Sequence, residues 1–401
     1  MHRALRPLFP VIALALAACA LRSPAGTGEP VPGKLPAQAT PTPRPSTTPA
    51  PTPTPLAGDR DLAIQTVAGT GVAGYSENSQ QPSAAQLNTP TGLAINRGDL
   101  LIADSLNHRI RKLTYDGFLV PFVGTGEPGY NGDGRNLSYL QVNAPYKIVS
   151  DDATGLIFFS DRGNGAIRCI DLNNFLITIA GRGTLPLTPG AEDLNGLDVK
   201  LDGPAGLAFD SQGNLYVAEM NANRILKLDG NHSWRISVYA GTGQAGFGGD
   251  NGPRLEARFD KPSDIAIDAQ DNVYVADMGN HRIRKIAPDG TVSTLAGVGL
   301  AGFGGDGGPS EEAWLSLPTS VAVDNQGSVF VADSGNHRVR AIKSDGTITT
   351  LAGTGTAGYS GDGGFPFLAA LRTPFALAYT PSEGLFVAER DNHVVRHFNV
   401  P

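Results

Sequence analysis

The sequence predicts an all-β fold, a six-bladed β-propeller of four-stranded blades, on three observations. An acidic residue recurs at Asp104, Asp161, Glu219, Asp277, Asp333 and Glu389, in steps of 56 to 58 residues. Each interval holds four short runs of alternating or continuous apolar residues separated by turn residues, and 51 glycines with 30 prolines speak for many turns and few helices. Four-stranded units of this length, repeated, make propeller blades. Third, the repeat is out of phase with the chain: the first run, Leu62–Ala68, matches the fourth strand of a unit, whereas the last unit stops after its third, His393–Asn399. The N-terminal strand is therefore expected to complete the sixth blade and close the ring, which removes an unpaired edge.

Residues 1–18 carry His2, Arg3 and Arg6 ahead of an apolar run from Leu8 to Ala18, too short to span a bilayer and suited to a signal peptide. Leu16-Ala17-Ala18-Cys19 resembles the lipobox of bacterial lipoproteins, which implies that Cys19 carries lipid, anchors the chain to a membrane and places it in the cell envelope after export. Residues 19–57 include "ATPTPRPSTTPAPTPTP", whose prolines favour an extended tether of at most roughly 120 Å. Residues 58–401 are expected to form the propeller. The second cysteine, Cys169, then has no disulfide partner, so the fold rests on packing.

The unit is clearest in "SDIAIDAQDNVYVADMGNHRIRKIAPDGTVSTLAG", residues 263–297, with strands expected at Asp264–Ile267, Val273–Ala276, Arg282–Ile286 and, as the fourth, Ile236–Ala240 or its later equivalent Thr291–Ala296. At Asn107-His108-Arg109, Asn280-His281-Arg282 and Asn336-His337-Arg338 the chain resembles the NHL-repeat family. Units 2, 3 and 6 depart from the triplet, with Asn164-Gly165-Ala166, Ala222-Asn223-Arg224 and Asn392-His393-Val394. The resemblance implies a propeller that serves as an interaction or sensing platform.

Several chemistries are excluded or disfavoured. A formal charge of −7, or −9 without Arg3 and Arg6, offers no basic footprint for nucleic acid. Gly69-x-Gly71-x-x-Gly74 has the spacing of a dinucleotide fingerprint but lacks the helix that would receive a pyrophosphate, and it returns four more times, so no nicotinamide, flavin or other cofactor is expected. The triad Asp333, His337 and Arg338 recurs in other units and reads as a turn held by Asx and imidazole hydrogen bonds. Zinc requires nitrogens at about 2.0–2.1 Å, and histidines on blades rotated by about 60° cannot converge on one ion. The Gly-Phe/Tyr-x-Gly-Asp-Gly linkers resemble calcium loops in composition but lack closely alternating carboxylates; a left-handed turn with its aromatic packed between blades is expected.

Function is sought where the copies disagree. The long glycine-rich linkers and the Asn-His turns are expected at one end of the strands, and the stretch before each inner strand, Asx-x-Pro-x-x, should ring the channel mouth there. Its distinctive members are Tyr146, Lys147, Asp264, Arg372 and Phe375, the expected ligand surface. The leading reading is a monomeric, lipid-anchored envelope propeller that binds a protein or an envelope-associated ligand. The alternative is a metal-dependent hydrolase, lactonase or lyase. Lactonase-like propellers set Glu, Asn and Asp around a channel metal, and the nearest equivalents are Asn88, Asn143, Asp202 and Asp260, joined by no glutamate.

Overall fold

The computed structural model describes residues 62–400, apart from 78–80, 135, 152–153 and 189. The expected signal peptide, Cys19 and the tether lie outside the described residues. Six antiparallel sheets follow in chain order. Blade 1 runs from Pro90–Asn96 to Leu119–Val123, blade 2 from Pro145–Ser150 to Leu176–Gly181, and blade 3 from Pro204–Phe209 to Arg235–Ala240, with the two-residue strand Leu194–Asn195 on its outer edge. Blade 4 runs from Pro262–Ile267 to Val292–Ala296 and blade 5 from Pro318–Val323 to Ile348–Ala352. Blade 6 takes Pro374–Thr380, Gly384–Glu389 and Val394–Phe398, then borrows Gln65–Ala68 as its outer strand, paired antiparallel with Val394–Phe398.

The apolar pattern follows from this stacking. A second strand such as Val273–Asp277 is buried along its whole length, because neighbouring blades cover both its faces, and it reads as an unbroken apolar run. The outer strand Val292–Ala296 is buried only at its ends. Between blades 3 and 4, Tyr216, Ala218 and Ile225 pack against Phe259, Ile265 and Val275. Such apolar packing between sheet faces supplies most of the driving force for folding.

The linkers do more than turn the chain at one end, as the sequence suggested. Those entering blades 2 to 6 also run along the outer strand of the blade they enter. In blade 4, Asn251 N–H donates to the Val292 carbonyl at 2.7 Å and Val292 N–H to that of Gly252 at 3.0 Å. Gly307, Gly308 and Ile348 repeat this in blade 5, as do Gly363, Gly364 and Ile64 in blade 6. The linkers thereby cap edges that would otherwise offer free backbone groups to another strand. The glycine fingerprints serve close approach: Gly297 stands at φ +98°, and a Cβ there would meet the His281 carbonyl oxygen at 2.4 Å.

The Asn-His turns are structural, and each part has its task. The asparagine bridges the acidic residue of its own blade to a linker carbonyl; Asn336 Nδ2 donates to Asp333 Oδ2 at 2.8 Å and to the Gly302 oxygen at 2.6 Å. The histidine sits in left-handed backbone and latches onto the next blade. His108 Nδ1 accepts from Ala144 N–H, His281 from Leu317, His337 from Thr373 and, across the ring seam, His393 from Thr89, all at 3.0–3.2 Å. In blade 3, Asn223 Oδ1 accepts from Lys261 N–H at 3.0 Å, so the latch needs an acceptor rather than an imidazole.

An imidazole accepts at Nδ1 only when neutral, and burial holds His108, His281, His337 and His393 below the ordinary value of 6.5. The folded protein thus binds fewer protons than the unfolded chain. The latches contribute fully above about pH 6.5 and are lost as pH falls through the folded-state values. Replacing all four histidines with Asn, the residue blade 3 uses, is expected to leave the urea midpoint near wild type at pH 7.5 and to reduce the loss between pH 7.5 and 5. An equal loss in both proteins would refute the latch.

Candidate functional site

In each blade the inner strand begins beside the end of the second strand, Pro262 opposite Asp277 and Pro374 opposite Glu389, with a bulge just after the proline. The bulge presents two consecutive residues to the axis. The first form a ring of Thr91, Tyr146, Ala205, Ser263, Thr319 and Phe375; the second form a ring of Gly92, Lys147, Gly206, Asp264, Ser320 and Ala376. Hydroxyls stitch these strands together, Thr319 Oγ1 donating to the Phe375 carbonyl at 2.8 Å and Ser160 Oγ to that of Ala205 at 2.8 Å.

Four of the five residues singled out in the sequence lie together on this axis, and all four are buried. Lys147 Nζ of blade 2 meets Asp264 Oδ2 of blade 4 at 2.8 Å, and the same oxygen accepts from Ser320 Oγ of blade 5 at 2.5 Å. Gly206 of blade 3 lies in between; a Cβ there would come within 2.4 Å of the Asp264 Cα. Tyr146 and Phe375 meet edge to face with centroids 5.6 Å apart, and Ala205 and Met220 complete their cluster. Tyr146 Oη is buried and has no hydrogen-bond partner among the described residues, and burial pushes its proton affinity well up. Arg372 stands apart. It is exposed, and its backbone N–H donates to Glu389 Oε2 at 2.8 Å.

Above these lies the ring formed by the residue after each acidic position, in which Arg162, Met278 and Arg390 are partly exposed while Ser105, Met220 and Ser334 are buried. Sequence reading passed over it, although its variation along the repeat was a usable signal. Arg162 lies over Tyr146 at 5.0 Å and Arg390 over Phe375 at 5.0 Å, so two guanidinium groups roof the aromatic floor. Arg390 is paired with Asp391 at 2.8 Å. Arg162 reaches only as far as Met220 Sδ, at 3.2 Å, and among the described residues no carboxylate pairs with it.

The residues considered for a metal occupy a wider ring and serve their own blades. Backbone N–H groups of Asn88, Asn143, Asp202 and Asp260 donate to Asp104, Asp161, Glu219 and Asp277 at 2.6–2.7 Å. Arg372 is the member of this same ring in blade 6. Among the described residues no group of three or more His, Cys, Asp or Glu side chains is placed to share an ion.

The linker acids have a different use from metal binding. Asp133, Asp250, Asp306 and Asp362 pair with the buried Arg168, Arg284, Arg340 and Arg396 at 2.5–3.1 Å. Their turns are left-handed as expected, with Gly305 at φ +87° and Gly361 at φ +95°. The aromatics correct the expectation of packing between blades: Phe247 is 44% exposed and stacks on Arg282 at 3.8 Å and Arg284 at 4.8 Å.

At the mouth, between blades 2 and 3, a cleft of about 440 Å³ is lined by Arg162, Asn164, Asp202 and Asn221 over Gly163, Gly165 and Gly203. A smaller cleft of about 210 Å³ between blades 1 and 2 lies by Arg97, Asp99, Lys112 and Asp171.

Comparison with known proteins agrees with this architecture. A model of the NHL repeat matches residues 87–113, 259–286 and 315–342, the three stretches with an intact Asn-His-Arg triplet. The chain carries NHL repeats on a six-bladed propeller. Protein SUPPRESSOR OF QUENCHING 1 of Arabidopsis thaliana is 29% identical over 344 residues, covering 81% of this chain and 31% of its own. Mouse teneurin-1 is 28% identical over 247 residues, covering 55% of this chain and 9% of its own. The chain thus spans about a third or less of these relatives. Among solved structures, an auxiliary nutrient binding protein from Bacteroides thetaiotaomicron superposes with TM-score 0.60 at 14% identity, over 84% of this chain and 75% of that one. A gluconolactonase from Xanthomonas campestris does so with TM-score 0.53 at 14% identity, over 86% and 94%. At such identities the likeness extends to the fold alone.

The axial ion pair yields a stability prediction. Both partners are nearly desolvated, so Lys147→Met strands Asp264 and is expected to cost about 3–5 kcal/mol. Adding Asp264→Asn, which keeps an acceptor for Ser320, should recover a measurable part of that loss in urea unfolding. A double variant as unstable as the sum of the two single variants would refute the pairing.

Proposed function

We propose that this NHL propeller is a binding module whose ligand surface is the mouth ringed by the Asn-His turns. The observation that carries this reading is the asymmetry of the axis. Hydroxyl residues line it in blades 1, 4 and 5, while blades 2 and 6 bring Tyr146 and Phe375 beneath Arg162 and Arg390. Aromatic and arginine side chains are the usual energetic anchors of recognition surfaces. The nutrient-binding protein that shares the fold supports a binding role in kind. The lactonase reading draws on an equally distant fold neighbour, and among the described residues no group of three or more His, Cys, Asp or Glu side chains is placed to share an ion.

We further propose that the chain is an envelope lipoprotein held through Cys19 and acting as a monomer. Its partner is a protein or an envelope-associated molecule.

Because Tyr146 and Phe375 are buried, the mouth is tested through its roof. Arg162→Ala with Arg390→Ala is expected to weaken capture of the native partner from envelope extracts by more than tenfold with the unfolding midpoint little changed. Lys343→Ala with Gln326→Ala, at exposed positions on the opposite end, should have no effect. Loss of capture by the second pair and not the first would place the site elsewhere. For the anchor, Cys19→Ser should abolish incorporation of radiolabelled fatty acid, and labelling at the wild-type level would overturn it.

A further inference from the structure

Of the six seams between blades, five carry a side-chain latch. His108, Asn223, His281, His337 and His393 each accept an N–H from the following blade. At the sixth, between blades 2 and 3, the latch position is Gly165, with the same left-handed backbone, φ +60°, as the histidines at φ +50° to +54°. The receiving position, filled by Ala144, Lys261, Leu317, Thr373 and Thr89 elsewhere, is Gly203. Two glycines have replaced a side-chain bridge, and the 440 Å³ cleft opens at this seam.

The walls of the cleft are chemically specific. Arg162 is half-buried and without a carboxylate partner, in contrast to Arg390, which holds Asp391. It stands over Tyr146, whose buried hydroxyl also lacks a partner. Across the cleft Asp202 is exposed and accepts from Asn221 Nδ2 at 3.0 Å through one oxygen. A planar guanidinium binds carboxylate in bidentate fashion, and its partial desolvation strengthens that preference. An aspartate and an amide opposite it accept and donate to hydroxyl groups. Inorganic cations do not suit a site with an unpaired arginine, and a purely apolar ligand would strand both charges.

We infer that the unlatched seam between blades 2 and 3 is a binding site for a hydroxylated carboxylate of the sugar-acid type, its carboxylate on Arg162 and its hydroxyls on Asp202 and Asn221. This rests on the reading of the mouth as the binding face and names the ligand chemistry there.

The test is calorimetric titration of the purified chain with sodium galacturonate, with galactose as the neutral counterpart. Saturable binding of galacturonate, at least tenfold tighter than galactose, is expected. Arg162→Met should weaken it at least tenfold. Gly165→His installs the missing latch opposite Gly203, and should abolish binding while leaving the unfolding midpoint unchanged or raised; Gly165→Asn, after the pattern of Asn223, serves if the histidine does not fit. Equal binding of the two sugars, or full binding in a folded Gly165 variant, overturns the proposal. Partner capture in the same variants separates the two readings. Galacturonate binding without any mouth-dependent capture would sink the wider partner reading alone, and capture without galacturonate binding would sink the sugar-acid site alone.

Discussion

The propeller depends on a buried arginine that ties each blade to its own entry linker. In blade 5, Arg340 is completely inaccessible. Its guanidinium donates to Asp333 Oδ2 at 3.3 Å, to Asp306 Oδ1 at 2.7 Å and to the Gly304 carbonyl at 3.2 Å, and it lies 4.9 Å from the Phe303 ring. Asp333 in turn accepts from the Ser316 backbone at 2.7 Å and from Asn336 at 2.8 Å. One junction therefore fixes the second strand, the third strand, the linker, the approach to the inner strand and the Asn-His turn. Desolvating such charges is costly, and the cost is offset only when hydrogen bonds satisfy the remaining groups. The opposing pulls show on the acids: burial pushes Asp104, Asp277 and Asp333 up to about 6 and Glu389 to about 7 despite the arginines beside them. Replacing this junction with apolar side chains would cost little energy and would lose the geometry that aligns five segments at once.

Much of this was legible in the sequence because the repeat samples the same problem six times. The period of the acidic residue set the number of blades, and the mismatch in phase at the two termini set the closure between Gln65–Ala68 and Val394–Phe398. The recurrence of Asp, His and Arg in several units marked the triplet as structural. What recurrence could not convey was the pairing. The partners Asp306 and Arg340 are 34 residues apart, and nothing local says that the linker aspartate reaches a guanidinium rather than a metal. The course of the linker along its own outer strand was hidden for the same reason, since backbone hydrogen bonds leave no mark on residue type.

The site was legible only in part. The variable stretch before each inner strand pointed to Tyr146, Lys147, Asp264 and Phe375, and these do gather on the axis. Arg372 does not, because the bulge after the proline turns two residues inward and leaves the position two before it on a wider ring. Their burial could not be anticipated either. A lysine from blade 2 reaches an aspartate in blade 4 only because Gly206 removes a side chain from between them, and that neighbourhood is a property of the closed ring. The ring above them, with Arg162 and Arg390, follows the acidic residue directly and escaped notice because the acid itself drew the attention.

Blades 2 and 3 show how such variation is tolerated. Blade 2 has lost its latch to Gly165 and its triplet arginine to Ala166, yet Arg168 still pairs with Asp161 and Asp133 at 3.1 Å, and Arg182 takes up the stacking on Tyr130 at 3.7 Å. Blade 3 has Leu226 where its neighbours bury arginine, yet Arg224 reaches Glu219 at 2.6 Å from two residues away, and Asn223 keeps the latch. Blade 2 has given up the latch and kept the junction, whereas blade 3 keeps the latch and rebuilds the junction from Arg224. Where the latch is lost, the seam can open without the blade coming loose, since the junction lies at the core and the latch at the rim. Departures at the mouth are absorbed without a substitute, and in blade 2 they come together as Tyr146, Lys147, Arg162 and Gly165 within a stretch of 20 residues. A repeat held twice over can release one fastening to make room for a ligand, which is why the least regular blade is the one to look to for function.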